Sequence, residues 1–265
     1  MKYITLFFVL TAVTAHAQNL EVITPKKSTG ISLQEMKSKL KSHSVRIDDP
    51  VYKAIKEYDA FDLTDVLQLA GAEASEGADE IVFATVDGYS PNVAFSVTKN
   101  HRAYIAYQEK GTPGRFGLVQ QGKAKVSPWP FYLVWEEGIK TGVEVPWPYQ
   151  LIKIEVVDWK QKYPLVVPDG AKPDSAERRG FTIFKAECIR CHSVNLQGGD
   201  VGPELNAPQN VTEYWKSDTL KEFIADSTSF RYKSKMPAFP KLKGDQINDV
   251  IAYLKFMKGH KIKKP

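Results

Sequence analysis

The hydrophobic pattern of this chain changes across one short, proline-rich segment, YPLVVPDGAKPDSAE, at residues 163–177. Before it, β-branched and aromatic residues occur in short runs that suit strands, and after it apolar residues recur at helical spacing. Three prolines and a glycine separate the two patterns, as is typical of a connection between domains. We therefore predict an α+β protein with a mixed, β-rich domain over residues 18–165, a linker over 166–175 and an all-α domain over 176–265.

Four segments of the first domain carry strand patterns: EIVFATVDGYS, HRAYIAYQ, FYLVWEE and YQLIKIEVVDW. The first of them reaches Asp87-Gly88, a pair that favours a tight turn. A proline directly precedes each of the last two, where it can begin a strand without interrupting a ladder. Phe61 and the apolar residues after it have near-helical spacing that ends at Gly71, a favourable C-cap. Residues 18–48 are polar and lysine-rich, with one weakly amphipathic segment and no predicted strand.

The chain begins with a segment that has the pattern of a secretory signal peptide. Lys2 precedes an apolar run from Ile4 to Val13, and Ala15-His16-Ala17 forms a small-residue cleavage pattern. A membrane anchor is the alternative, but the run is shorter than the roughly 20 residues that span a bilayer. We predict a signal peptide over residues 1–17 and a soluble mature protein that is periplasmic or otherwise exported, with no transmembrane segment.

The only two cysteines, Cys188 and Cys191, lie in the sequence ECIRCHSV and are followed at once by His192. A disulfide between thiols this close together would close almost no loop and could not staple the fold. Structural zinc requires four ligands, and no second cysteine pair follows. A redox dithiol of the thioredoxin type accompanies a βαβ pattern, and no strand is predicted after Cys191. The C-x-x-C-H spacing favours covalent haem, with two thiols bonded to the porphyrin edge and the histidine on the iron.

A second axial ligand for such an iron is expected from the segment KSKMPAFPKL. Pro237 and Pro240 favour a fixed, non-helical loop in which Met236 can present a single sulfur atom. Met257 lies near the end of the last predicted helix and Met36 lies in the other domain, so both are expected to fill cores. A methionine ligand raises the reduction potential of a haem relative to a second histidine.

Three helices are predicted around this site. The first is capped by Asp174 or Ser175 and contains Gly180, which costs about 1 kcal/mol relative to alanine unless another helix must cross closely there. The second is SDTLKEFIADS, and the last is capped by Asp245 and ends at Gly259. The last helix carries an apolar stripe at i, i+3, i+4 and i+7, formed by Ile247, Val250, Ile251 and Leu254. We expect this stripe to cross the first helix.

Residues 175–260 resemble a class I cytochrome c domain. The resemblance rests on GFTIFKAECIRCH, then GPEL, then KMPAF, and then a C-terminal helix with an aromatic residue at Tyr253. It implies one covalently attached haem c per chain, with Tyr253 among the residues around the cofactor.

The same resemblance assigns roles to five further residues. Cys188 and Cys191 would carry the thioether bonds, and His192 and Met236 would be the two iron ligands. The carbonyl of Pro203, in the GPEL segment, would accept a hydrogen bond from the imidazole of His192 and so fix the orientation of the ring. No catalytic residue follows from the resemblance.

The first domain, over about residues 48–160, resembles the molybdopterin-binding domain of sulfite oxidase-like enzymes. The resemblance rests on YDAFDLTDVLQLAG, VFATVDGYS, PFYLVWEE and VPWPYQLIKIEVVD. Enzymes of that family bind molybdenum through a cysteine thiolate, and this domain contains no cysteine. Its arginines, Arg46, Arg102 and Arg115, are few for a pterin phosphate. We therefore expect a reduced, cofactor-free relative that serves in docking or binds a ligand that the sequence does not identify.

These patterns together predict an electron-transfer protein rather than an enzyme, in which one haem transfers single electrons between redox partners. The alternative is a cytochrome subunit of a periplasmic oxidoreductase complex, for example a molybdenum-dependent dehydrogenase. A haem sensor would need an open sixth coordination position, against which Met236 argues.

The charge of the chain predicts the kind of partner. The formal net charge is +5, and Lys and Arg outnumber Asp and Glu after residue 176. Arg190, Lys233 and Lys235 are expected near the exposed haem edge, where they would attract redox partner proteins with an acidic docking surface. Nucleic acid is not an expected partner, because the chain is predicted to be exported and carries no recognition motif.

Overall fold

The computed structural model describes residues 18–72, 77–121, 124–137 and 145–263, so the predicted signal peptide lies outside the described residues. The N-terminal part of the chain is a strand-rich mixed sheet and the C-terminal part is helical, which confirms the predicted α+β class. We refer to the described residues before 166 as the strand-rich region and to those after 175 as the helical region.

The strand-rich region contains one large sheet, a small ribbon and four short helices. Its strands are β1 (Asn19–Ile23), β2 (Ser28–Ser32), β3 (His43–Asp49), β4 (Ala54–Asp62), β5 (Glu80–Thr85), β6 (Asn92–Ala94), β7 (Ala103–Glu109), β8 (Val119–Gln121), β9 (Ala124–Val126), β10 (Phe131–Trp135) and β11 (Tyr149–Val157). Its helices are α1 (Leu33–Lys39), α2 (Leu63–Leu69), α3 (Phe95–Asn100) and α4 (Trp159–Lys162). The ribbon is β8 with β9, and the other strands form the sheet.

The sheet is organised around β11. The strand order is β2-β1-β11-β10-β7-β4-β3, and β5 also pairs with β11 and carries β6 on its other edge. The pairing of β1 with β11 is parallel, whereas the other pairings within this described sheet are antiparallel. Strands β1, β2 and β3 come from the lysine-rich residues 18–48, where none was predicted. Their buried residues, such as Leu20 and Val22, alternate with polar residues that face solvent, so the segment reads as polar overall.

The predicted helix of the strand-rich region is two residues shorter than its apolar spacing suggested. Phe61 belongs to β4, and α2 begins at Leu63 because the side chain of Asp62 accepts a hydrogen bond from the backbone N–H of Thr64 at 2.8 Å. Gly71 follows the helix with φ at +67°, a conformation that glycine adopts without a steric penalty, and this confirms the predicted end.

The two faces of the sheet bury different kinds of residue. One face packs aliphatic and aromatic side chains against α1 and α2, with Met36 fully buried as expected of a core residue. The other face buries the carboxylate of Asp49, which accepts hydrogen bonds from the hydroxyls of Tyr58 at 2.7 Å and Tyr132 at 3.1 Å. Since a buried carboxylate without partners is costly, these hydrogen bonds are what make the position tolerable.

The helical region consists of four α-helices, short helical turns and a small hairpin. The helices are α5 (Ala176–Ile183), α6 (Val211–Tyr214), α7 (Ser217–Ala225) and α8 (Gly244–Met257), and the hairpin strands are β12 (Ser193–Val194) and β13 (Gln197–Gly198). Ser175 caps α5 as predicted, whereas α8 is capped at Lys243 rather than at Asp245. The hairpin lies just after His192, where no strand was predicted, but it is antiparallel and therefore forms no βαβ unit. None of the helices in the described ranges has the length and hydropathy that a membrane span requires.

Helices α5 and α8 cross at Gly180, as the sequence predicted. A β-carbon placed on Gly180 would lie 1.9 Å from the carbonyl oxygen of Asp249 in α8, so only glycine permits this approach. The apolar stripe of α8 is buried against α5. The rings of Phe184 and Tyr253 lie 5.1 Å apart at this crossing.

The helical core extends into the strand-rich region. Val82 of β5, Trp159 of α4, Tyr163 and Val166 belong to the same buried cluster as the residues of α8. Val166 begins the predicted linker, and its carbonyl accepts a hydrogen bond from the hydroxyl of Tyr253 at 2.8 Å. The two regions are therefore packed together, and the start of the linker lies inside the core.

Candidate functional site

The two cysteines and the adjacent histidine lie in one compact turn, Cys188–His192, which we call the attachment turn. Helix α5 continues into a π-helical turn, Phe184–Cys188, in which the N–H of Ile189 reaches the carbonyl of Phe184 at 2.9 Å. The N–H of His192 then donates to the carbonyl of Cys188 at 2.9 Å. π-Helical turns are rare and are frequent at functional sites. Here the π-helical turn that continues α5 ends at Cys188. The five consecutive residues from Cys188 to His192 then provide both sulfur atoms and the imidazole.

Both cysteines are free and half-buried. Burial raises the pKa of the Cys188 thiol to about 12 and also raises the pKa of Cys191. A catalytic dithiol has the opposite property, because its nucleophile requires a lowered pKa. The electrostatics of the turn therefore argue against a redox dithiol.

His192 is held in a single orientation by the loop that contains Pro203. Its Nδ1 donates a hydrogen bond to the carbonyl oxygen of Pro203 at 2.8 Å, which leaves Nε2 as the acceptor nitrogen. Burial lowers the pKa of His192, and the hydrogen bond to Pro203 opposes this shift. A β-carbon on Gly202 would lie 2.4 Å from Cε1 of His192, so the loop lies against the imidazole. A neutral imidazole with Nδ1 fixed is the form that binds a metal through Nε2.

Glu204, which the sequence analysis did not single out, holds this loop in place. Its two carboxylate oxygens accept four backbone hydrogen bonds at 2.8–2.9 Å. The donors are the N–H groups of Asn195, Leu196, Asn206 and Ala207. Burial opposes ionisation of Glu204, but these hydrogen bonds outweigh it and hold the pKa below its ordinary value of 4.5. Glu204 thereby positions the carbonyl of Pro203 one residue before it.

A chain of buried asparagines continues from this loop, and the sequence analysis missed it as well. Asn206 donates to the side-chain oxygen of Asn195 at 2.8 Å, and Asn210 donates to that of Asn206 at 2.7 Å. Asn210 also donates to the carbonyl of Leu254 in α8, and Asn195 donates to the carbonyl of Leu165. The chain joins the loop behind His192 to the last helix and to the end of the strand-rich region.

Met236 lies in an irregular segment, as its flanking prolines predicted. Its side chain is half-buried and packs against the core of the helical region. Its carbonyl accepts a hydrogen bond at 2.7 Å from the hydroxyl of Ser227, which is fully buried and ties the segment to the end of α7. Met257, by contrast, is 1% exposed within α8 and fills the core as expected.

Tyr253 lies inside the crossing of α5 and α8. Its ring contacts those of Phe181 and Phe184, at centroid distances of 5.7 and 5.1 Å. Its hydroxyl donates a hydrogen bond to the carbonyl oxygen of Val166. Its predicted place beside the cofactor stays a prediction. The contacts that the structure does show link α5, α8 and the linker.

Arg190, which the sequence analysis places near an exposed haem edge, is largely covered by its neighbours in the structure. Its side chain is 23% exposed and forms an ion pair with Glu187 at 3.2 Å. Its backbone carbonyl accepts a hydrogen bond at 2.8 Å from the N–H of Ser90 in the strand-rich region. Lys233 and Lys235, on the segment before Met236, are exposed as predicted.

Comparison with known proteins agrees with this geometry. The sequence model of the family described as Cytochrome c matches residues 177–258. Cytochrome c of Gibberella zeae is 30% identical over 96 residues, which cover 29% of this chain and 91% of that protein. Cytochrome c of Gossypium barbadense is 31% identical over 102 residues, covering 31% of this chain and 91% of that protein. Through its helical region, the chain belongs to the cytochrome c family, which implies a covalently bound haem c and a function in electron transfer.

Proposed function

We propose that this protein is an exported c-type cytochrome that carries one haem and transfers single electrons between redox partner proteins. The observation that carries the proposal is the geometry of His192, whose Nδ1 is fixed by the carbonyl of Pro203 at 2.8 Å beside two free thiols. This arrangement leaves Nε2 of a neutral imidazole available to an iron atom, on the residue that follows Cys191 in the chain.

The proposal gives each residue of the site a role. Cys188 and Cys191 would hold the haem through thioether bonds, and His192 and Met236 would bind its iron. The haem supplies an iron that alternates between the ferrous and ferric states. The protein fixes the imidazole through Pro203 and holds the backbone of Met236 through Ser227, which is how a family member limits rearrangement during electron transfer.

The strand-rich region is proposed to be a cofactor-free relative of the molybdopterin-binding domain of sulfite oxidase-like enzymes, and the protein is proposed not to be an enzyme. Its contacts with the helical region, through Trp159 and Val82, suit a support that orients the haem. A second candidate is the cytochrome subunit of a periplasmic oxidoreductase complex. The match to the family model begins only at residue 177, so the large sheet that precedes this residue is additional to the cytochrome and offers a surface for a further subunit.

Mass spectrometry of the exported protein tests the haem proposal. The full chain, produced with its first 17 residues in a host that attaches haem to exported proteins, should gain the mass of one haem. The haem should remain bound after acidified acetone extraction, and the chain should begin near Gln18. A Cys188→Ala, Cys191→Ala double variant should lose the added mass, whereas Met257→Leu should keep it. Haem that is recovered free from the wild-type chain would overturn the proposal.

Metal analysis tests the proposal for the strand-rich region. The purified full-length protein should contain iron at about one atom per chain and no stoichiometric molybdenum. Affinity capture of the native protein from its own periplasm distinguishes the two candidates, because only a complex subunit should bring a second polypeptide in constant ratio through gel filtration. Stoichiometric molybdenum in the isolated chain would contradict the cofactor-free assignment.

A further inference from the structure

A lysine of the π-helical turn reaches into the strand-rich region. Lys185 lies three residues before Cys188, and its ammonium group donates a hydrogen bond to the carboxylate of Glu80 at 2.6 Å. The other carboxylate oxygen of Glu80 accepts a hydrogen bond from the side chain of Asn92 at 2.8 Å. Glu80 is the first residue of β5 and is 7% exposed, and the side chain of Lys185 is 26% exposed. The ion pair is therefore partly buried between the two regions.

The ring of Trp159 covers the same ammonium group. The Nζ atom of Lys185 lies 4.7 Å from the centroid of this ring, within the distance of a cation–π contact. Trp159 is almost fully buried, and its backbone N–H donates a hydrogen bond to the carboxylate of Asp79 at 2.8 Å. One carboxylate and one aromatic ring, both from the strand-rich region, thus fix the position of Lys185.

These contacts act on a backbone conformation that is rare in proteins. The π-helical turn has its own hydrogen bond from the N–H of Ile189 to the carbonyl of Phe184, and the side chain of Phe184 is fully buried in the helical core. The next residue, Lys185, is bound by the strand-rich region instead. Beyond Cys188, the carbonyl of Arg190 accepts a hydrogen bond from the strand-rich region as well. The strand-rich region therefore holds the chain on both sides of the first cysteine.

We propose that Glu80 is a positioning residue for the haem site, which acts through Lys185 to hold the π-helical turn, and with it His192, in place relative to Met236. This inference rests on the proposed function, since it requires haem in the helical region. An iron bound by His192 and Met236 would be held from two separate segments, and Ser227 ties the second of them to the end of α7. A shift of the first segment would then weaken the bond to the methionine sulfur.

Positioning and simple charge predict opposite results at Glu80. Oxidation of the haem adds one positive charge, so loss of the negative charge of Glu80 would by itself favour the reduced state and raise the reduction potential. Loss of positioning would weaken the methionine ligand, and a weaker methionine ligand lowers the potential. Glu80→Gln distinguishes the two effects, because it removes the charge and keeps the length of the side chain.

Hydrogen exchange of the full-length protein tests whether Glu80 holds the turn. In Glu80→Gln and in Lys185→Met, the N–H groups of Ile189 and His192 should exchange on the order of tenfold faster, because a hydrogen bond between charged groups is lost. The N–H of Ile251, in the middle of α8, reports on global unfolding and should accelerate less. An equal acceleration at Ile251 would show that Glu80 contributes only to overall stability and would overturn the inference.

A second ion pair provides the matched control. Glu109 pairs with Lys56 at 2.8 Å between β4 and β7, and both side chains are partly buried. Glu109→Gln should leave exchange at Ile189 unchanged relative to the reference in α8. The Glu80→Gln, Lys185→Met double variant should accelerate exchange at Ile189 no more than either single variant, since the two residues act as one contact. Additive acceleration would contradict the inference.

Redox titration and carbon monoxide binding test the effect on the haem site. Glu80→Gln and Lys185→Met should both lower the reduction potential, and their ferrous haem should bind carbon monoxide faster than that of wild type. A potential that rises in Glu80→Gln would mean that only its charge acts, and would overturn the inference. If Glu80→Gln fails to fold, exchange in Lys185→Met decides, because this variant keeps an apolar side chain against Trp159. A wild-type chain that carries no haem would instead refute the proposed function, and the exchange measurement would still show whether Glu80 holds the turn.

Discussion

The α-carbon of Gly180 in α5 faces the backbone carbonyl of Asp249 in α8 so closely that a β-carbon at position 180 would lie 1.9 Å from that oxygen. The two helices that bracket the attachment turn are therefore in backbone contact, and a hydrogen atom is the only side chain that fits between them. The position of α5 sets that of the π-helical turn and hence that of Cys188.

Gly180→Ala should destabilise the protein, because α5 and α8 must separate to admit a methyl group. We expect a loss of about 1–3 kcal/mol in the free energy of unfolding, as is usual for an overpacked core, despite the better helix propensity of alanine. Urea denaturation measures it. Gly259→Ala is the control, since a β-carbon on Gly259 would have no heavy atom of another part of the protein within 4 Å. Equal stability of the two variants would contradict the close crossing.

Met236→Ala should lower the reduction potential and allow carbon monoxide to bind the ferrous haem, because the proposed sixth ligand is lost. The absorption band near 695 nm that marks a methionine–iron bond in ferric cytochromes should disappear. Met257→Ala removes a side chain that is 1% exposed in α8, so it should cost about 2–5 kcal/mol of stability and keep the band. Loss of the band in the Met257 variant alone would reassign the ligand.

Glu204→Gln should lower stability at neutral pH by about 0.5–1.5 kcal/mol, since an amide has a single acceptor oxygen for the four backbone N–H groups and places its NH₂ group against at least one of them. The pKa of Glu204 is held below 4.5 in the folded protein, so its stabilising contribution is fully present above that value. The contribution is lost as the pH falls through the lower, folded-state pKa.

The difference between wild type and Glu204→Gln should therefore shrink as the pH falls from 7 towards 3, which thermal unfolding at several pH values can follow. Glu222→Gln, on the exposed face of α7, is the control and should match wild type throughout. A difference that stays constant with pH would show that Glu204 acts through its shape rather than through its charge.

Lys233 and Lys235 should accelerate electron exchange with a negatively charged redox reagent, and the rate should fall as salt is added. The Debye length decreases from about 10 Å at 0.1 M to about 3 Å at 1 M, which removes the attraction. A Lys233→Glu, Lys235→Glu variant should have a flatter salt dependence in stopped-flow measurements. Lys26→Glu, Lys172→Glu carries the same change of net charge at two other exposed positions. If both double variants behave alike, net charge rather than this segment steers the encounter.

The features that the sequence predicted well are those that depend on residues close together in the chain. The stripe of α8 and the glycine of α5 lie within single helices, so their crossing could be expected from periodicity and from the cost of Gly180 in a helix. The motif around Cys188 and the histidine beside it is equally local, and its role in holding haem stays a prediction. The hydrogen bond from the N–H of Ser90 to the carbonyl of Arg190, however, joins a turn of the sheet to a turn of the helical region. No spacing rule relates two such positions.

Glu204 illustrates a second limit of sequence reasoning. The residues next to Glu204 in sequence predict a loop. The four backbone N–H groups that donate to its carboxylate, however, come together only once the hairpin of β12 and β13 has folded back onto that loop. The lysine-rich residues 18–48 illustrate a third limit. Edge and near-edge strands need only one apolar face, so a strand such as β3 carries as many polar residues as a loop would.

The parallel pairing of β1 with β11 also constrains how the chain reaches its native state. Val22 aligns with Ile154, so the first strand must stay unpaired on this edge until the chain has been synthesised as far as β11. Contacts between residues so distant in sequence form slowly, because the entropy of closing a long loop is lost before the contact is gained. The sheet that contacts the attachment turn can therefore be completed only after β11 has been synthesised. Proteolytic removal of residues 19–23 would leave backbone hydrogen-bonding groups of β11 without partners. A chain cut in this way would tend to associate with other copies of itself.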